Sequence, residues 1–238
     1  MDAYDTYRQW KGWSDEPFGT CTDLQRNYFA KEMVRAGVVG PSKILELGFG
    51  NGEFLEWARS VGHEVLGVEI IDSLVAEASA NGFSAYLKDI TAEAFVEERN
   101  IDVVVAFDVI EHLSIREIQQ LLRSLSPALS PEAVIICRFP NGCSPFSSAT
   151  YNGDITHKTL LAQTSLRQIV EAEGFEVARF VNPVRSLGRI PPLKWLIYLF
   201  RDVLEVALGY LYFNNQRWPL DPSAVAHLRR CEAAESKV

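Results

Sequence analysis

Lys43-Ile44-Leu45-Glu46-Leu47 is a short apolar run that ends in Gly48-Phe49-Gly50-Asn51-Gly52, three glycines at alternate positions. A helical pattern follows over Glu53 to Ser60, where Phe54, Leu55, Trp57 and Ala58 are spaced to pack back onto a sheet. The glycines let the backbone take φ values costly to other residues, and they let a ligand approach without a Cβ in the way. A buried strand, a glycine turn and a helix in this order form a nucleotide-type crevice at the carboxyl edge of a parallel sheet.

Spacing decides which nucleotide fits. A dinucleotide fingerprint of Gly-x-Gly-x-x-Gly starting at Gly48 requires glycine at position 53, which is Glu53. A carboxylate at the helix start also opposes the pyrophosphate that such a helix end attracts. No Gly-Lys-Ser/Thr follows, so the phosphate loop fails too. What survives is Glu-x-Gly-x-Gly-x-Gly from Glu46 to Gly52, and in this the chain resembles the class I S-adenosylmethionine-dependent methyltransferases. The resemblance implies an α/β fold: a Rossmann-like, seven-stranded, mostly parallel sheet with helices on both faces and an antiparallel edge strand. It also implies S-adenosylmethionine as cofactor, a sulfonium without phosphates, beside which acidic residues are favourable.

The remaining strands carry acids where that reading needs them. Glu64 to Glu69 reads as a second strand, and Glu69 lies about twenty residues past the first glycines, where an acid can accept from ribose hydroxyls. Ser84 to Asp89 reads as a third strand. By resemblance Asp89 receives the adenine amino group; the alternative is a helix cap for the segment after it. Three acids, Glu46, Glu69 and Asp89, at successive strand ends are a stronger signal than any one alone. The resemblance extends the cofactor-binding set to Phe49, Ile70 and Ile90.

Ile101 to Asp108 is a fourth buried strand running into Val109-Ile110-Glu111-His112-Leu113. The Asp-x-x-Glu-His-Leu arrangement resembles the post-strand motif of many methyltransferases of small molecules and glycans. It implies Asp108 beside the methionyl part of the cofactor and His112 towards the reaction cleft, although a histidine there can also simply hold a loop. Ser114 and Glu117 form a capping box for a helix with Ile118, Leu121, Leu122 and Leu125 on its apolar stripe. A turn bracketed by Pro127 and Pro131 leads to a fifth strand, Ala133 to Phe139, and Glu176 to Val181 forms a sixth.

The run from Phe139-Pro140-Asn141 through Asp154-Ile155-Thr156-His157 to Ser165-Leu166 and Gly174-Phe175 is similar to methyltransferases of bacterial polysaccharide and lipopolysaccharide gene clusters. That implies a sugar hydroxyl of a glycan, or of its lipid-linked precursor, as acceptor. A hydroxyl must lose its proton, and a base with a pKa near the working pH serves best, which favours histidine. His157 is the first candidate and His112 the second, with Asp154 as an orienting or alternative base. Asp108, Glu111, His112, Asp154 and His157 together have the chemistry of a divalent-metal site, but the spacing of one chain does not show that they converge, and no metal is assigned. An apolar metabolite such as a quinone or polyketide precursor is the alternative acceptor, and a cofactor-binding protein without catalysis is the reading from another class.

Outside this core, the start of the chain is aromatic: Tyr4, Tyr7, Trp10, Trp13, Phe18, Tyr28 and Phe29 precede the first strand. Thr22 or Asp23 caps a helix there, which either covers the sheet or forms a lid. Pro191 to Phe213 is nearly all apolar, with Lys194, Arg201, Asp202 and Glu205 close to one stripe. It does not span a bilayer, since each mid-helix charge costs about 2.5–3.5 kcal/mol there. It packs on its own domain, pairs with a second subunit or lies on a membrane, and its balanced charges favour the first two. Ser223 to Leu228 is the candidate antiparallel edge strand. The expected organisation is therefore 1–40 as an aromatic helical lid, 41–185 as the cofactor-binding core, 186–218 as an amphipathic insertion, and 219–238 as the last strand and tail.

A net charge of −8 argues against general nucleic-acid binding, which rests on cationic side chains. Cys21, Cys137, Cys143 and Cys231 show no zinc or redox spacing and suit a reducing compartment. The acidic start, Met1 to Asp5, carries no hydrophobic signal segment. The expected location is the cytoplasm, with peripheral contact at the inner membrane left open by the apolar helix, as is a homodimer.

Overall fold

The structure is a computed structural model that describes residues 17–92, 98–186, 192–212 and 218–231. Tyr4, Tyr7, Trp10 and Trp13, the aromatic start read above as a lid, lie outside the described residues.

Seven strands form one sheet in the order β3-β2-β1-β4-β5-β7-β6. They are β1 (Lys43–Leu47), β2 (Glu64–Glu69), β3 (Ser84–Leu87), β4 (Ile101–Phe107), β5 (Leu129–Pro140), β6 (Phe175–Val181) and β7 (Ser223–Arg230). The first five pair in parallel, and β7 runs antiparallel to both β5 and β6. The antiparallel pairing thus lies at the expected end of the sheet, with β7 inserted one place in and β6 outermost. The strand order reverses between β1 and β4, and the carboxyl ends there open a crevice.

Helices cover both faces because alternate residues of each buried strand point to opposite layers. Ile44, Val103, Val105, Val134 and Ile136 share one core with Phe29 and Met33 of α1 (Asp23–Arg35) and Phe54 and Trp57 of α2 (Glu53–Ser60). Leu45, Leu47, Val104, Ile135 and Cys137 share the other with Leu121 and Leu125 of α4 (Ile115–Leu125), α3 being Asp72–Ala80. A short α5 (Ser148–Asn152) and α6 (Gln163–Glu171) follow, and α6 adds Leu166 and Val170 to this second core. Glu46, one residue from each of Leu45 and Leu47, therefore falls on the α1/α2 side.

Thr22 and Ser114 cap α1 and α4, each with the reciprocal bond of a capping box, from Gln25 and Glu117. Two boundaries differ from expectation. β3 ends at Leu87, so Asp89 sits in the turn beyond the strand. β5 starts at Leu129, ahead of Pro131, because an irregularity opposite β4 takes up the extra residues between the Ile101–Leu129 and Val103–Val134 pairs.

The apolar segment forms α7 (Pro192–Tyr212), and it packs in an unexpected sense. Its polar stripe faces the domain. Asp202 takes both guanidinium nitrogens of Arg185, at 2.8 and 2.6 Å, Arg201 pairs with Asp221, and Glu205 accepts from Asn182 at 2.7 Å. Leu193, Trp195, Phe200, Val203, Leu211 and Tyr212 are exposed on the outside. An amphipathic helix usually buries its apolar side, and here anchoring charges on 182–185 and 221 reverse the choice. Among the described residues no helix is long and apolar enough to cross a membrane.

The same 182–185 segment is tied to α1. Glu32, fully buried, pairs with Arg35 at 2.5 Å and accepts the Val184 amide at 2.8 Å. Arg35 also donates to the Asn182 carbonyl at 2.7 Å. Removing one partner leaves the other's charge stranded in a dry site, so Glu32→Ala is expected to lower unfolding free energy by about 3 kcal/mol in urea titrations. Glu56→Ala, which breaks a surface pair with Arg59, is expected to change it by under about 1 kcal/mol.

Candidate active site

The glycine turn has the backbone that the sequence demanded. Gly48, Gly50 and Gly52 all adopt positive φ, at 63, 53 and 78°. A Cβ on Gly48 would lie 2.8 Å from Val109 Cγ2, so this glycine lets the loop after β4 close over the turn. A Cβ on Gly52 would lie 2.2 Å from the Phe18 ring. Gly52 starts α2 and is packed under Phe18, and it does not line the cleft that the other two glycines border.

That cleft encloses about 1080 Å³ at the carboxyl ends of β1, β2, β3 and β4. Glu46, Glu69 and Asp89 all line it, with Phe49, Ile70 and Ile90 between them and Asp108 and His112 further along. The three acids are thus brought together from three strand ends, with different degrees of satisfaction. Glu69 accepts from the backbone amides of Gly50 at 3.2 Å, Ile70 at 2.7 Å and Ile71 at 3.2 Å. Burial raises its pKa against the pull of those bonds. Asp89 uses Oδ1 to accept from the Thr91 amide and hydroxyl, at 2.8 and 2.7 Å, which makes it the cap of its own turn as well as a cleft residue. Glu46 is 5 % exposed and its Oε2 has no hydrogen-bond partner. Desolvation, reinforced by Glu53 and Glu69, pushes its carboxyl well above the ordinary 4.5.

Beyond the acids the cleft wall is cationic and aromatic. Asp108, at φ 58°, is held in a two-pronged ion pair by Arg138, whose Nε donates at 2.9 Å. Burial works against the Arg138 charge, but the Asp108 carboxylate outweighs it and the pKa rises. The guanidinium lies 5.4 Å from the Tyr28 ring and 5.1 Å from that of Phe107. Arg138 was not singled out from the sequence, and Tyr28 was read only as one of the aromatics ahead of the first strand. The available signal was one arginine in the apolar run Ala133 to Phe139.

The three candidate bases cluster together, but of them only His112 lines the cleft; Asp154 and His157 do not. Asp154 is buried and accepts from the Thr156 amide at 3.0 Å and from its hydroxyl. Because the Thr156 hydrogen goes to Asp154, the same oxygen accepts from His112 Nδ1 at 2.8 Å, which leaves Nε2 as the basic nitrogen of His112. His157 Nδ1 donates to the Tyr151 carbonyl at 2.7 Å, which sets the same tautomer. The two imidazoles are edge-to-face at 4.7 Å.

A cavity of this size, a backbone bend pared to glycine and a dry carboxylate oxygen without a donor fit a ligand that brings its own positive charge. Residues 23–179 match the family model described as a methyltransferase domain. The chain therefore belongs to the methyltransferase-domain family, and it is an S-adenosylmethionine-dependent methyltransferase. No curated protein sequence matches it. Among solved structures it is similar to an S-adenosylmethionine-dependent methyltransferase from Archaeoglobus fulgidus, at 20% identity and TM-score 0.61 over 86% of this chain and 94% of that one. The plantazolicin methyltransferase BpumL, in complex with S-adenosylhomocysteine, is similar at 18% identity and TM-score 0.61 over 97% and 92%. One from Clostridium acetobutylicum matches at 9% identity and TM-score 0.61 over 96% and 100%. At these identities the likeness concerns the fold.

The raised Glu46 pKa has a consequence for the ligand-free protein. A carboxyl that binds its proton more tightly folded than unfolded stabilises the fold at low pH, and that contribution is lost as pH rises from 4.5 through the folded-state value. Glu46→Gln is therefore expected to raise the melting temperature of the ligand-free protein at pH 8. The gain should vanish near the ordinary carboxyl pKa, as measured by calorimetry across the pH range.

Proposed function

We propose that this protein is an O-methyltransferase that moves a methyl group to a sugar hydroxyl of a bacterial glycan or of its lipid-linked precursor. The observation that carries the cofactor half is the partnerless, buried Oε2 of Glu46 in the same cleft as Glu69, Asp89 and the glycine turn. Glu46, Gly48, Phe49, Gly50, Glu69, Ile70, Asp89 and Ile90 hold the cofactor, and Gly52 acts indirectly by keeping the start of α2 close to Phe18. Asp108, already engaged by Arg138, shapes the wall next to them. When bound, S-adenosylmethionine supplies a methyl group activated by its sulfonium.

Transfer to oxygen is an in-line displacement, so alignment supplies much of the rate. His112 is the group that meets the acceptor hydroxyl, because it alone of the three candidates lines the cleft. Asp154 acts through Thr156 to fix its tautomer and is a positioning residue, and His157 stands behind it. This order reverses the expectation from sequence, which ranked His157 first.

The apolar face of α7 supports a lipid-linked acceptor. Arg201, Asp202 and Glu205 are held to the domain and the helix's aliphatic and aromatic side chains face outward, the arrangement of a surface that rests on a lipid–water boundary. None of its residues lines the cleft among those described, which disfavours the alternative in which this helix walls a pocket for an apolar metabolite. On this reading the domain works at the cytoplasmic side of the membrane.

Incorporation of labelled methyl groups into glycan and polyprenyl-linked intermediates, against quinone precursors, tests the acceptor; preference for the quinones overturns it. His112→Ala is expected to cut turnover by about 100-fold or more while sparing cofactor affinity. Glu46→Gln should weaken cofactor binding about tenfold, as loss of a charged hydrogen-bond partner does. Leu199→Asp with Phe200→Asp should abolish sedimentation with anionic vesicles and leave cofactor binding unchanged. Loss of a dimer in these variants, with no vesicle binding by the parent, would identify the face as a subunit contact instead.

A further inference from the structure

We infer that Glu111, His112 and His157 form a binding site for one divalent first-row transition-metal ion beside the cofactor cleft. A carboxylate oxygen of Glu111 and one nitrogen from each histidine lie within 4.8 Å of one another, the one such group of three among the described residues. They come from two separate segments. Glu111 and His112 belong to the single 3-10 turn Ile110–His112 after β4, and His157 belongs to the loop after α5.

The two segments are clamped by main chain. The amides of Lys158 and Thr159 both donate to the Glu111 carbonyl, at 2.8 and 3.0 Å, and the Thr159 hydroxyl donates to the Leu113 carbonyl at 2.6 Å. The two segments that carry the donors are therefore brought together by the fold before any ion arrives, which leaves only side-chain adjustment to the binding step and lowers its ordering cost.

Both imidazoles are held from behind. A metal-binding histidine typically donates its other ring nitrogen to a carbonyl or a carboxylate-linked group, which fixes the tautomer and turns the ring. His157 gives Nδ1–H to the Tyr151 carbonyl, and His112 gives Nδ1–H to Thr156, itself bonded to Asp154. These bonds set, in each ring, the tautomer in which Nε2 is the unprotonated nitrogen. His157 Nε2 is 4.0 Å from Glu111 Oε1, too long for a hydrogen bond. Two ligands each about 2.1 Å from a shared tetrahedral ion stand about 3.4 Å apart, so this pair closes by roughly half an ångström when an ion binds. Glu111 is 1 % exposed and the His157 side chain 7 %. A carboxylate that deeply buried is stabilised by a cation more than by any solvent contact.

Two imidazoles and one carboxylate select manganese, iron, cobalt or zinc over magnesium and calcium, which prefer all-oxygen shells. Three protein ligands leave further positions open, and His112 lies on the cleft wall, so those positions adjoin the acceptor's space. The site deepens the proposed function, on which its role alone rests. With Nε2 of His112 taken up by a cation, His112 would meet the acceptor hydroxyl through the ion and not as the base itself; the ion would orient the hydroxyl and lower its pKa, and the proton would pass to solvent as the oxygen is methylated.

The test uses the whole chain, stripped with a chelator and saturated with S-adenosylhomocysteine. Titration with manganese chloride, followed by electron paramagnetic resonance and calorimetry, should show one ion per chain. His157→Ala and Glu111→Gln should each weaken it by about 100-fold, and Thr156→Val by about tenfold, while S-adenosylhomocysteine still binds. Zinc should compete for the same site. No saturable manganese or zinc binding by a chain that binds S-adenosylhomocysteine overturns the site, as does binding that none of the three substitutions alters. One ion bound by a chain that does not take S-adenosylhomocysteine supports the site and counts against the cofactor reading.

Discussion

A carboxylate kept dry is the constraint around which this domain is arranged. Glu46 lies at the end of a strand whose neighbours on both sides are buried, and its Oε2 finds no donor within the protein. Burying an unsatisfied polar group costs on the order of 1–3 kcal/mol. On the proposed reading, a cofactor that carries positive charge into the cleft relieves that cost. The neighbouring acids carry no comparable strain. Glu69 is satisfied by three amides, one from the glycine turn itself, and Asp89 caps the turn that presents it. Two of the carboxylates build the crevice and the third is left exposed to its contents.

The opposite chemistry governs the region beyond β4, where charges are paired. Arg138 neutralises Asp108 across adjacent strands, and a chain from Asp154 through Thr156 reaches His112. These contacts join residues about thirty to forty-five positions apart in sequence, and they fix side-chain orientation at the β4 end of the cleft. The histidine pair and Glu111 are drawn into the same framework by backbone bonds from the 158–159 loop. The acids at the ends of β1 and β2 and beyond β3, and the Asp108–Arg138 pair with His112, are thus separate electrostatic neighbourhoods along one cavity.

The helix α7 follows a third logic. Asp202, Glu205 and Arg201 are taken up by Arg185, Asn182 and Asp221, and the 182–185 segment is also tied to α1 through Glu32 and Arg35. The apolar face is therefore displayed by a helix held to the domain through polar contacts. A contiguous exposed apolar surface of this kind marks an interaction face in a stable protein.

Local pattern made much of this legible in the sequence. The strands around Glu46, Glu69 and Asp108, the helix after the glycine turn and both capping boxes follow from near-neighbour chemistry, which depends on spacing that a sequence displays directly. The glycine bend and the acids at strand ends also pointed to the cofactor, since a parallel sheet brings successive strand ends to one edge. What tertiary structure decided was every relation between distant segments. It put His112 rather than His157 against the cleft, moved Gly52 into packing with Phe18, added Arg138 and Tyr28 to the wall and inverted α7. Each outcome depends on which long-range partner lies closest, and one-dimensional periodicity carries no record of that distance.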